Sequence, residues 1–317
     1  MDKIYYRNGH EIPEMRPCVA TIGFFDGVHR GHQFLIRQVV DDAHREGLDS
    51  MVITFDQHPR KVLQSDYQPQ LLSTLDEKLV LLSKTAIDHT VVLHFDREMA
   101  ALSAYDFMKT ILRDRLNVRR LYIGYDNRFG HNRSEGFNEY VKYGRQLGIE
   151  VVKSTAFVLN GVNVSSTVIR SLLREGEVEL ADHCLGYPYT LFGRVVRGHQ
   201  EGRKLGFPTA NLDTGEYDQL VPAMGVYAVM ARIEGSMVYM RAMMDIGTRP
   251  TFGGKQVTLE VNIFHFEGDI YGKRLFVSFM HRIREDKKFP TIEALQRQLC
   301  EDEKMVNEQF DKDLENE

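Results

Sequence analysis

The sequence predicts two domains: an α/β domain built on a parallel sheet, then a small antiparallel β-barrel followed by a C-terminal helix. Three patterns carry this. Between Val19 and Val152, short buried-strand runs alternate with helical stretches, as βαβ units require. After Tyr187 short strands follow one another with glycine turns, as in a small barrel. Near the end, apolar residues recur at helical spacing. The pattern changes at Cys184, so the domains are expected to span 1–184 and 185–317, and a length of 317 residues suits two domains.

In order, Val19-Ala20-Thr21-Ile22 reads as a buried strand, and a helix follows over 33–45 with Phe34, Leu35, Val39, Val40 and Ala43 on its apolar positions. Residues 51–55 form the next strand. Thr74-x-x-Glu77 is a capping box opening a helix to Lys84. A strand at 91–95, a helix capped by Ser103 and reaching about Arg115, a strand at 121–124, a helix over 138–147 and a strand from Val151 complete the sheet. Two short helices are expected between Thr167 and Leu185. Barrel strands are expected at 191–196, 226–233, 237–244, 257–266 and 275–280. The last helix starts near Thr291 with a core-facing stripe of Ile292, Leu295, Leu299, Val306 and Phe310, and the acidic end, 311–317, is expected to fray.

Composition excludes several classes. A net charge of −5 argues against a nonspecific nucleic-acid binder. Cys18, Cys184 and Cys300 are too scattered for a disulfide framework or a zinc site. There is neither a signal-peptide apolar core nor an apolar run long enough to span a membrane, so a cytoplasmic protein without membrane partners is expected; protein partners are not legible.

The most informative stretch is Thr21 to His32, reading T-I-G-F-F-D-G-V-H-R-G-H. A strand, a glycine turn and a helix N-terminus present free N–H groups and a positive dipole end to an anion, and His29 and His32 flank Gly31 on that turn. Three further stretches fall at strand or helix ends: T-F-D-Q-H-P-R from Thr54, G-Y-D-N-R-F-G from Gly124, and S-S-T-V-I-R from Ser165. The last reads equally as a phosphate site or as an ordinary helix cap. In the second domain Gly193, Gly198, Gly202 and Gly206 punctuate a loop with Arg194, Arg197, Arg203 and Lys204, which suits either a flap over phosphates or a solvated hairpin. Glu260 alternates with Val257, Leu259, Val261 and Ile263, placing it on the polar face of a strand either as a general base or as an exposed carboxylate.

Taken in order, these motifs resemble the FMN adenylyltransferase domain, and G-R-K-L-G-F-P-T-A-N, I-G-T-R-P-T-F and the Glu260 strand resemble the riboflavin kinase domain, of prokaryotic bifunctional riboflavin kinase/FAD synthetases. The resemblance implies a Rossmann-like nucleotidylyltransferase fold before the barrel, with ATP as substrate and Mg²⁺ as cofactor. In the first domain it implies catalysis by His29 and His32. It implies ATP phosphates on Gly23, Phe24, Phe25, Gly31, Ser166, Thr167 and Arg170, and flavin near His58, Pro59, Asp126 and Asn127. In the second it implies ATP on Gly198, Lys204, Gly206, Pro208 and Thr209, Mg²⁺ on Thr209 and Asn211, Glu260 as base, and flavin beside Arg284 and Phe289. Riboflavin, FMN, FAD and ATP are the implied ligands. Two departures from the family pattern stand out: Asp56-Gln57 replaces Glu-Pro, which is expected to loosen that loop, and Asp286 replaces a longer glutamate. A nucleotidylyltransferase with another acceptor explains H-R-G-H but not P-T-A-N. A flavin sensor is disfavoured by the intact histidines, Thr209, Asn211 and Glu260.

Overall fold

The buried runs of the first half become a six-stranded parallel sheet in the computed structural model. The structure describes all residues except 8–11, 65, 126–127, 132–134, 199–201, 203–205, 216, 252–253 and 317, with backbone alone for 249–251, 254–256 and 316. The chain divides into two units, Met1–Ser166 and Thr167–Glu317.

The first unit runs β1 (Asp2–Tyr6), β2 (Cys18–Ile22), α1 (Arg30–Glu46), β3 (Asp49–Phe55), α2 (Pro59–Leu63), α3 (Leu75–Ser83), β4 (His89–Leu93), α4 (Arg97–Ala101) and α5 (Ala104–Phe107). A π-helical turn, Met108–Arg113, extends α5, and β5 (Val118–Ile123), α6 (Phe137–Leu147), β6 (Glu150–Lys153) and the hairpin β7 (Val158–Leu159) and β8 (Val162–Asn163) follow. Strand alternation sends Cys18, Ala20 and Ile22 to one face of the sheet, with the α5 and α6 side chains. Val19 faces the other side with Leu35, Ile36, Val39 and Ala43 of α1. Both faces are covered, as a parallel sheet requires. The spatial order is β1-β4-β3-β2-β5-β6. The chain moves outward from β2 in one direction through β3 and β4 and in the other through β5 and β6. The carboxyl end of β2 is therefore a topological switch point, where such sheets bind ligands.

Several expectations shift. The edge strand β1 was not legible. Helix α1 begins at Arg30, so Gly31 and His32 lie in its first turn with His29 as N-cap. The capping box at Thr74 forms, and Ser103 caps α5 through Asp106 N–H, but the helix passes into π geometry before Arg115.

Helix α7 (Ser166–Glu175), whose first residue still belongs to the first unit, opens the second with α8 (Val178–Leu185), and both pack onto the barrel: Leu173 O accepts from Ala223 N–H, and Asp182 accepts from Tyr189 N–H. Strands β9 (Thr190–Val196), β10 (Ala210–Asp213), β11 (Gly225–Ile233), β12 (Met240–Thr251), β13 (Gly254–Ile263) and β14 (Arg274–Arg284) close a barrel in the order β10-β13-β12-β11-β14-β9. Strand β10 was missed because it is short and only half-buried in its first residues. The strand expected at 237–244 starts only at Met240, and Met237 is 90% exposed at the hairpin tip. Val257 is 48% exposed although it shares the face of Leu259, Val261 and Ile263, so the buried part of that face begins at Leu259.

The C-terminal helix, Ile292–Asn316, covers one face of the barrel through Leu299, Val306 and Phe310 with Phe207, Ala228, Met243 and Phe264. Against the expectation of fraying from 311, the helix continues to Asn316, with Asp311 bound to Arg241 at 2.8 Å and Asp313 to His281 at 2.8 Å; residue 317 lies outside the described residues. Ile292, expected in the apolar stripe, is 66% exposed, because the stripe meets the barrel only from Leu295 onward. Phe310→Ala should destabilise the second unit by about 3–5 kcal/mol, whereas Ile292→Ala should change it by less than about 0.5 kcal/mol. Denaturant titration of the two variants side by side checks this.

Candidate active sites

The β2–α1 turn is held in an unusual backbone shape. Phe25 (φ 53°), Gly27 (φ 75°) and Val28 (φ 35°) all adopt left-handed conformations. For non-glycine residues such geometry costs on the order of 1–3 kcal/mol each and persists only where the surroundings enforce it. Enforcement comes from buried polar groups. Asp26 is 4% exposed and its Oδ1 accepts from Leu72 N–H (2.9 Å) and Ser73 N–H (3.2 Å). Gly27 N–H donates to Ser73 Oγ, Ser166 Oγ donates to Asp26 O, and Thr54 Oγ1 donates to Phe24 O.

The turn delivers both histidines to the N-terminus of α1. His29 Nδ1 accepts from His32 N–H at 3.3 Å, and the two rings stack with centroids 3.6 Å apart. A Cβ on Gly31 would sit 3.0 Å from Val164 O and 3.1 Å from the His29 ring, a tight fit that a larger residue could enter only by displacing them. Burial, then His29, then Lys78 push the His32 pKa well below its usual value, so His32 is neutral at pH 7. Its Nδ1 is buried with no protein partner, unlike the other polar groups of the turn. A neutral His32 ring stacked on His29 at a helix N-terminus forms a polar surface suited to an anion.

Gly23, Phe24, Phe25, Gly31, His29 and His32 thus come together. His58 reaches the same place: its ring lies 4.9 Å from Phe24, and its Nδ1 caps α2, with Pro59 as first helical residue. The loop before it is not loosened by Asp56-Gln57. Asp56 binds His94 at 2.6 Å and accepts from Phe95 N–H, and Gln57 donates to Phe95 O, tying the β3 and β4 ends together. Thr167 is exposed near the start of α7, with Arg170 one turn on, and both belong to the second unit. Asp126 and Asn127 lie outside the described residues.

In the barrel, strand register builds the second site. Asn211 of β10 and Asp245 of β12 are the two cross-strand partners of Glu260 on β13. Thr209 Oγ1 donates to Glu260 Oε2 at 3.0 Å, and Asn262 Nδ2 donates to Pro208 O at 2.7 Å, fastening the P-T-A-N segment along β13. A Cβ on Gly198 would overlap the Asn211 amide, so the glycine loop lies directly against that side chain. Gly206 sits in a left-handed turn before Pro208. Lys204 lies outside the described residues.

Thr209 lines two clefts. One, of about 220 Å³, is bordered by Glu260, Asp245, Arg284, Asp286 and Phe289. The other, of about 540 Å³, is bordered by Pro208, Val195, Phe266, Asp269 and Tyr271. In the smaller cleft burial, then Asp286, then Glu260 raise the Asp245 pKa to about 6. Arg284 does not point free into it: Nε and Nη2 form a fork with the carboxylate of Asp302, whose side chain is 0% exposed, and the guanidinium lies 5.7 Å from the Phe289 ring. Thr209 and Asn211 are hard, neutral oxygen donors beside a carboxylate, a set that fits Mg²⁺ carried in by nucleotide phosphates.

Sequence reading missed Asp245 and Asp302. Asp302 had a signal: it falls on the apolar stripe between Leu299 and Val306, where a charge needs a partner. Asp245 had none beyond lying on a barrel strand.

Two family models match. One, described as FAD synthetase, covers residues 11–168, and one described as riboflavin kinase covers 185–310. The bifunctional riboflavin kinase/FMN adenylyltransferase of Escherichia coli K12 is 36% identical over 92% of this chain and 93% of its own. That of Listeria monocytogenes is 38% identical over 90% of each. A crystal structure described as a macrolide-efflux protein from Streptococcus pneumoniae has a TM-score of 0.84 and 31% identity, covering 96% of this chain and 98% of that one. Among the described residues no helix is long and apolar enough to cross a membrane.

Asp302→Ala should leave the Arg284 guanidinium, 17% exposed, without its counter-charge. Breaking a buried pair this way costs about 3–5 kcal/mol. Thermal unfolding should show that loss, and an unchanged midpoint would mean the pair is not what holds the C-terminal helix to β14.

Proposed function

We infer the activity from one premise: the chain belongs to the family of bifunctional riboflavin kinase/FMN adenylyltransferases. It phosphorylates riboflavin with ATP to give FMN and transfers AMP from a second ATP to FMN to give FAD. The observation that carries the two-step reading is that one chain holds both a β2–α1 anion turn with paired imidazoles and a barrel strand that aligns Glu260 with Thr209 and Asn211.

The kinase is assigned to the barrel and the adenylyltransferase to the parallel-sheet domain, with functional limits at 185–317 and 1–184. In the kinase Glu260 takes the proton of the ribityl 5′-hydroxyl, whose oxygen attacks the γ-phosphorus as the bond to ADP breaks. The Thr209 hydrogen bond fixes the Glu260 carboxylate for that task. Thr209 and Asn211 are the residues that would hold Mg²⁺, which neutralises phosphate charge when bound. Gly198, Lys204, Gly206, Pro208 and Thr209 are assigned to the nucleotide; of these Pro208 and Thr209 border the larger cleft. Arg284 and Phe289 are assigned to the flavin side, with the Arg284 guanidinium 5.7 Å from the Phe289 ring and held by Asp302.

In the adenylyltransferase an FMN phosphate oxygen attacks the α-phosphorus of ATP, and pyrophosphate leaves with the electrons of the broken Pα–O bond. His29 and His32, paired at a helix N-terminus, stabilise charge developing on the phosphates. Gly23, Phe24, Phe25, Gly31, Ser166, Thr167 and Arg170 are assigned to ATP, and His58, Pro59, Asp126 and Asn127 to the flavin. Cys18, Cys184 and Cys300 form no disulfide, which supports a reducing, cytoplasmic setting.

A time course of riboflavin, FMN and FAD in one reaction with Mg·ATP tests the scheme; FMN should rise before FAD. His32→Ala should lower FAD formation by on the order of 10²–10³ and leave FMN formation intact. Glu260→Gln should cut riboflavin phosphorylation by about 10²–10⁴, while FMN supplied directly is still converted to FAD. Equal loss of both activities in either folded variant would sink the assignment of that residue.

A further inference from the structure

Helix α3 carries a lysine on its buried face. Lys78 is 2% exposed, and its ammonium donates to the carbonyls of Phe24 (3.0 Å) and Phe55 (2.9 Å) while lying 4.1 Å from the centroid of the Phe24 ring. Phe55 ends β3, and Phe24 opens the turn that follows β2 and leads to His29, so the cation sits directly behind the anion turn. It makes no ion pair within 4 Å among the described residues.

The charged groups facing it are otherwise engaged. Asp26, in the turn, is committed to Leu72 N–H and Ser73 N–H, and Asp56, after β3, to His94 and Phe95 N–H. On its own helix, burial pushes Glu77 up to about 8, holding it largely neutral at pH 7, and Asp76 adds one carboxylate beside it. From α1, the neutral His32 feels Lys78 as a positive neighbour. A fixed cation has thus been buried without a bonded counter-ion, at a cost the fold does not need for packing.

We propose that Lys78 is a positioning residue for adenylyl transfer and supplies the triphosphate site with fixed positive charge from behind the turn, without touching the nucleotide. This rests on the adenylyltransferase reading of the first unit.

A purely structural clamp would behave differently. A neutral amine retains two N–H donors, enough for both carbonyls, so deprotonation removes the charge and keeps the clamp. Burial lowers the Lys78 pKa to about 8, with Asp26 and then Asp56 opposing that fall. The folded pKa lies below the unfolded value of 10.5, so between these two pH values the unfolded chain holds the extra proton and this group makes the fold more stable as pH rises. Activity and stability should therefore part company above pH 8.

The test is kcat/KM for ATP in FAD formation from FMN, measured on the full chain from about pH 6.5 to 9.5, with riboflavin phosphorylation and thermal unfolding followed on the same samples. FAD formation should drop on the order of ten-fold through a step near pH 8, the size expected for a unit charge about ten ångströms away at an effective dielectric constant near 20. Riboflavin phosphorylation should not share that step. Lys78→Met should be low throughout and lack the step, and Lys78→Arg should keep the charge and carry the high plateau beyond it. Should Lys78→Met fail to fold, Lys78→Arg decides, because Glu77 also titrates at about 8 and a step that survives in Lys78→Arg would belong to Glu77 and overturn the proposal. A wild type without the step, or a folded Lys78→Met that retains it, would overturn the proposal. A chain that makes no FAD at any pH would instead overturn the adenylyltransferase reading, and this inference with it.

Discussion

The first unit depends on the burial of Asp26. Its carboxylate is spent on two backbone N–H groups of the segment before α3, and its carbonyl accepts from Ser166 at the start of α7. A buried carboxylate with those bonds cannot move without leaving a charge unsolvated, which costs several kcal/mol. That penalty holds Phe25 and Val28 in left-handed conformations they would otherwise leave. The strained turn in turn sets the entry into α1, and the entry sets where His29 caps and His32 stacks. Sequence chemistry, local strain and ligand chemistry are linked through one side chain.

The second unit reaches a comparable result by register rather than strain. Antiparallel pairing puts Asn211, Glu260 and Asp245 in one row across β10, β13 and β12. A one-residue slip would turn Glu260 into the barrel interior beside Leu259 and Val261, where a carboxylate has no partner. The packed interior thus fixes which side chains face the cleft. The C-terminal helix closes that face, and the Arg284–Asp302 fork pins the helix to β14.

Much of this was legible because it rests on local rules. Alternating strands and helices, the Thr74 capping box and the glycine turn before α1 are short-range patterns, and the structure contains each of them. The misses have two causes. Strand β10 and edge strand β1 are short segments made into strands by their neighbours, so no periodicity within them reports it. Lys78 and Asp302 are charges on apolar helix faces. Their spacing marks them: Lys78 sits among Leu75, Leu79 and Leu82, and Asp302 among Leu299 and Val306. A charge at such a position must have a partner, but the partner is supplied by another element and cannot be read from the helix alone.

The two sites also treat charge in opposite ways. The kinase cleft gathers Glu260, Asp245 and Asp286, acceptors that suit the hydroxyls of an uncharged ribityl chain. The β2–α1 turn gathers a helix N-terminus, two imidazoles and the Lys78 cation, which suit phosphates. FMN differs from riboflavin by one phosphate, and that phosphate is repelled by carboxylates and attracted by N–H donors and a cation. On the reading proposed above, the product of phosphoryl transfer therefore carries a charge that matches the anion turn better than a cleft lined by Glu260, Asp245 and Asp286.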